Sequence, residues 1–127
     1  MHEHTTDVAV QDVAALIHDD AQMRLLVSFG RLLEGREAVV EALARGWAAD
    51  TFRARVLRFE WLDDSTSLTF AHARYALEAG GFAEGNVYWL DELRDDRIWR
   101  VQVFKDEAEA RRAYASTLAD RMLVAGV

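Results

Sequence analysis

Residues 12–50, DVAALIHDDAQMRLLVSFGRLLEGREAVVEALARGWAAD, decide the fold. Val13, Ala14 and Ile17 continue from Val10 at i, i+3, i+4 and i+7, so one apolar helical face leads up to His18-Asp19-Asp20, which ends that helix. Thr6 or Asp7 is placed to cap its start by accepting from the first free backbone N–H groups. Residues 21–27 read as a strand, and residues 28–34 as a loop or short β-hook. Gly35-Arg36-Glu37 then opens a second helix over residues 36–49, where Val39, Val40, Leu43 and Trp47 form an apolar stripe. Glu37 sits in its first turn, where the helix dipole favours an acid.

Downstream the pattern changes to strict alternation. Residues 53–62 place Leu57, Phe59 and Trp61 on one parity. Residues 66–77 set Phe70, His72 and Arg74 on one face and Ala71, Ala73 and Tyr75 on the other. Residues 82–93 and 97–104 alternate in the same way. Asp63-Asp64-Ser65, Ala79-Gly80-Gly81 and Asp95-Asp96 are the turns between these strands, glycine being the residue that accepts positive φ without steric cost. Asp106 with Glu109 makes a capping box for a closing helix, whose inner stripe is Ala110, Ala113, Tyr114, Thr117 and Leu118. An antiparallel meander needs its apolar face covered, and the flanking helices supply that cover. The expectation is a single α+β domain over residues 1–127, with a loose arm at 1–5 and a loose tail at 120–127.

Composition narrows the function classes. The 127 residues are 51% hydrophobic and 29% charged, which describes a globular chain with one core. The net charge of −7 argues against a general nucleic-acid binder, because phosphate contact needs a positive face. Arg45, Arg53, Arg55 and Arg58 form a local basic excess that reads as the solvated side of a helix and strand. No apolar run reaches the roughly 18 residues of a membrane span. The chain has no cysteine, hence no disulfide and no thiol nucleophile, which fits a cytoplasmic location. His18, Asp19 and Asp20 are adjacent at a helix end and point apart, so no metal site is expected, and no cofactor.

The order acid-acid-Ala at Asp19-Asp20-Ala21, strand, Gly35-Arg36-Glu37-Ala38-Val39, long strands, Arg97-Ile98, then Phe104-Lys105-Asp106 resembles the nuclear transport factor 2-like superfamily, in its SnoaL-like and ketosteroid isomerase-like branch. The resemblance covers roughly residues 12–114. It implies a cone-shaped, strongly bent half-barrel closed by helices, an internal pocket, and frequent homodimers through the outer face of the sheet. The long first helix of the family is shortened here. The resemblance also implies a general-base Asp near Leu25, an oxyanion-binding acid near Trp89, or a His and Asp near Val101 and Val103. None of those acids is present at these positions, which favours binding over the known isomerase and cyclase mechanisms.

The same alignment expects Trp89, Asp91, Trp99, Val101 and Val103 to face the concave side, with His72 and Arg74. His72 is the proton-transfer candidate, since its ordinary pKa lies near neutrality. Arg74 is placed to hold a carboxylate or enolate, and Asp91 to pair with either. Trp47, Trp61, Trp89 and Trp99 suit a flat apolar ligand. The expectation is an apolar small-molecule-binding protein using His72 and Asp91 for any cofactor-free isomerase, cyclase or hydrolase step. The alternative is a non-catalytic accessory or protein-interaction module of the same fold.

Overall fold

The computed structural model describes residues 14–124, so the cap at Thr6 or Asp7, Val10, Val13 and the arm at 1–5 lie outside the described residues. Six strands form one sheet: β1 (Ile17–Arg24), β2 (Leu32–Glu34), β3 (Phe52–Asp63), β4 (Thr66–Ala76), β5 (Phe82–Arg94) and β6 (Arg97–Phe104). Their spatial order is β2-β1-β6-β5-β4-β3. The last four make the expected antiparallel meander, while β1 runs parallel to β6 and antiparallel to β2. At the β4–β5 turn, Gly80 and Gly81 take φ of 105° and 77°.

Two helices after β2 take opposite faces of this sheet. Helix α1 (Arg36–Ala48) lays Val39 against Ile17, Ala21, Met23 and Val101. Its entry turns on Gly35, at φ 90°, whose N–H donates to the Ala21 carbonyl at 2.8 Å. Gly46 lets the helix come close to the preceding segment, since a Cβ there would lie 2.9 Å from Val27 Cγ1. Helix α2 (Glu107–Val124) packs Ala110 against Leu68 and Leu90 on the other face. Asp106 Oδ1 caps it, accepting from the Ala108 N–H at 2.7 Å.

Three expectations are corrected. The first helix ends at Leu16, and His18, Asp19 and Asp20 belong to β1. Ile17 pairs with Ile98 and is only 1% exposed, so pairing with β6 overrides a helical period that Ile17 also satisfied. The strand stops at Arg24, and Leu26–Ser28 form a 3₁₀ turn held by the Ser28 hydroxyl, which bonds the Leu25 and Arg31 carbonyls at 3.0 and 2.8 Å. Finally, α2 continues past Asp120 to Val124, because Arg121 ties its last turns to Thr66, Asp63 and Glu92 at 2.9, 3.2 and 3.3 Å.

Candidate functional site

Between the sheet and α1 lies a cavity of about 220 Å³. Ile17, Met23, Leu43, Phe52, Trp89 and Val101 supply its walls, and the turn at Leu25, Leu26 and Val27 forms one side. Register explains why these side chains meet. Phe52 lies opposite Tyr75, Tyr75 opposite Ala83, Trp89 opposite Val103, and Asp91 opposite Val101, so one parity of each strand faces the cup. Phe52 and Trp89 pack with ring centroids 6.2 Å apart.

Asp91 is the one titratable side chain lining this cavity among the described residues. It sits opposite Ser67 on β4. The Thr69 hydroxyl donates to its Oδ2 at 3.2 Å, and that of Ser67 at 3.4 Å. Burial among apolar walls pushes its carboxyl up to about 6, and the two hydroxyls only partly offset that. A carboxyl with this property can accept or donate a proton near neutral pH.

Trp89, Asp91 and Val101 line this one cavity, and the other candidates do not. Val103 faces the same side yet lines a neighbouring cleft beyond Leu25 and Leu26. Trp99 is the extra residue of a β-bulge: Glu92 pairs with Arg100 and Leu93 with Ile98, leaving Trp99 unpaired. The bulge turns Ile98 into the cup and puts Trp99 in an outer cleft, between Arg94 and Arg100, whose guanidiniums lie 3.8 and 5.1 Å from its ring centroid. Trp47 is 37% exposed on α1 and does not line the cavity.

His72 and Arg74 lie on the opposite face from Asp91. His72 is opposite Asn86 and Arg74 opposite Glu84, both on the parity that points away from Trp89. His72 Nε2 lies 2.9 Å from a Glu84 carboxylate oxygen and Nδ1 3.1 Å from the Asn86 amide oxygen. Those bonds, Glu84's first, raise the His72 pKa. Arg74 stacks over Phe82 at 3.8 Å. The hairpin turn carries the signal that separates them from Asp91. A turn centred on Ala79 pairs even residues with even, and so fixes which face His72 takes.

No protein-family model and no curated protein matches the sequence. Solved structures match in fold. An NTF2-like protein of unknown function from Burkholderia pseudomallei is 16% identical over 87% of this chain and 88% of that one, with a TM-score of 0.60. A putative SnoaL-like polyketide cyclase from Jannaschia is 12% identical over 80% and 75%, with a TM-score of 0.57. The chain has the nuclear transport factor 2-like fold. A third protein of similar structure, from Mycobacterium tuberculosis in complex with estradiol-17beta-hemisuccinate, is 14% identical over 82% of this chain and 90% of that one, with a TM-score of 0.60.

Within the NTF2-like frame, sequence reading missed Met23, Phe52 and Ile98 as cup residues, and Ser67 and Thr69 as donors to Asp91. Ser67 and Thr69 carried a usable signal, since they share the parity of Ala71 and Ala73 and face β5 across a short turn. Ile98 carried none, because nothing in residues 97–104 marks the bulge. His18 Nε2 lies 3.3 Å from Asp95, and Asp19 3.0 Å from Arg36. Among the described residues no group of three or more His, Asp or Glu side chains is gathered to hold a metal ion. No helix there is long and apolar enough to cross a membrane.

Proposed function

We propose that this chain binds a compact apolar ring compound in the cup, with an oxygen function of the ligand against Asp91, and moves a proton on it without a cofactor. The supporting observation is the placement of a single carboxyl, with its pKa pushed up to about 6, at the wall of an otherwise apolar cavity. A cavity of about 150 Å³ takes a benzene ring, so about 220 Å³ suits one ring or two fused rings. Hydrolysis asks for a donor to the developing oxyanion beside an activated water or nucleophile, and Asp91 is the one titratable side chain lining the cup among the described residues. A 1,3-proton shift asks for less: one carboxylate takes a proton from carbon and returns it two atoms away. Among isomerase, cyclase and hydrolase steps, the isomerase type is therefore favoured, on substrates whose proton is already acidic. That a protein of this fold is described in complex with a steroid ester, and another as a putative polyketide cyclase, is in keeping with a ligand-holding cup. Pairing of two copies through the outer face of the sheet is part of the same reading.

A second reading has its own support. Ser67 and Thr69 already donate to Asp91, so neither hydroxyl is a separate donor to a developing oxyanion. That favours a binding or accessory protein without turnover. Conversion of 1-phenylbut-3-en-1-one to its conjugated isomer, followed by ultraviolet absorbance, separates the two. The catalytic reading expects a rate that rises with pH through about 6 as Asp91 ionises, and a loss of about 100-fold or more in Asp91→Asn. His72→Gln, on the other face, leaves the rate unchanged. Binding of the ketone with no turnover supports the accessory reading. Turnover indifferent to Asp91→Asn removes Asp91 from the chemistry.

A further inference from the structure

The cup has a neighbour that shares its wall. Leu25 and Leu26 line the 220 Å³ chamber on one side and a cleft of about 420 Å³ on the other. The cleft is chemically different. Tyr75, Val103 and Phe29 give it apolar sides, and three charged residues, Arg24, Glu78 and Lys105, also line it. Glu78 is ion-paired with Arg31, so its charge is already answered. Arg24 uses Nη1 to donate to the Gly30 carbonyl at 2.9 Å, which holds the guanidinium and leaves its other donors for a ligand. Among the described residues neither Arg24 nor Lys105 is within ion-pairing distance of a carboxylate. In a chain of net charge −7, two cations with no acidic partner among the described residues, in one cleft beside an apolar chamber, are suited to an anion.

Resting on the proposed binding role of the cup, we infer that the ligand is an aromatic carboxylic acid whose ring occupies the Asp91 chamber and whose carboxylate tail reaches the Arg24–Lys105 cleft. The Leu25–Leu26 turn is the gate over which the tail passes. It is a half-buried 3₁₀ segment held by Ser28, so its side chains can turn without breaking a strand pairing. The chamber sets ring size, and the cleft selects charge and tail length. An acid of this kind is delivered with its charge outermost, which also keeps a carboxylate away from ionised Asp91.

Titration calorimetry with three probes tests this: 4-propylphenol, 4-(4-hydroxyphenyl)butan-1-ol and 4-(4-hydroxyphenyl)butanoate. The butanoate should bind roughly tenfold more tightly than the alcohol at low salt, with the advantage shrinking as salt rises. Arg24→Gln combined with Lys105→Gln should abolish that advantage while leaving 4-propylphenol binding unchanged. Lys105→Gln alone disturbs no hydrogen bond of the turn and should still reduce it. Equal affinity for acid and alcohol, with 4-propylphenol bound, overturns the anion site and spares the chamber. A preference for the acid that survives in the double variant also overturns it. Failure of all three probes to bind removes the chamber reading and this inference with it.

Discussion

Asp91 and Glu92 are neighbours on β5 and meet opposite fates. Asp91 points into the cup, where two hydroxyls are its hydrogen-bond donors, and burial lifts its carboxyl to about 6. Glu92 points to the other face, is 2% exposed, and is gripped by Arg100 and Arg121 beneath α2. Arg100 also reaches the Thr117 hydroxyl at 3.3 Å. Arg121 also meets Asp63, which accepts from the Tyr114 hydroxyl at 2.8 Å. Burial disfavours the Asp63 carboxylate, but the Ser65 amide, the Tyr114 and Thr66 hydroxyls and Arg121 outweigh it and hold its carboxyl at about 2. One face of the sheet therefore uses its acids to fasten a helix. The other leaves an acid with no cation among the described residues at the wall of an apolar cavity. A buried acid with matched cations marks structure, and one without them marks a site.

Breaking the fastening should have the largest effect. Glu92→Ala leaves Arg100 without this carboxylate and Arg121 with Asp63 alone, and should lower stability by about 3 kcal/mol in urea unfolding at pH 7. Asp91→Asn should act in the opposite direction and be smaller. The folded-state pKa of Asp91 is raised from 3.8, so the folded protein holds a proton that the unfolded chain releases between those values. Stability from this group is present at low pH and lost as pH rises through about 6. The full shift is worth about 3 kcal/mol. The variant should recover about 2 kcal/mol of it at pH 8, since the amide still faces apolar walls, and gain almost nothing at pH 4. A stabilising Glu92→Ala or a destabilising Asp91→Asn at pH 8 would erase the contrast between the two faces.

Much of this was legible in residues that obey one local rule. The alternation in residues 66–76, the glycine turn at Gly80 and Gly81, and the capping box at Asp106 led directly to observed elements. The errors arose where a long-range contact decides. Ile17 fits a helical stripe and a strand equally well, and only its partner on β6 chooses. Trp99 was misplaced because one inserted residue inverts parity for part of the strand, and no side chain there announces the bulge. The resemblance places His72 on the concave face with Asp91, whereas the even-with-even pairing across Ala79 puts the two on opposite faces.

The most direct test of the Asp91 assignment is its own titration, followed by carboxyl-carbon NMR on the folded protein, with Asp91→Asn to assign the resonance. Burial of Asp91 among apolar walls predicts a midpoint near 6, above that of an exposed aspartate. A midpoint at or below 4 would mean that the carboxyl is solvated or paired with a cation, and the cup would then hold no group fit to move a proton at neutral pH.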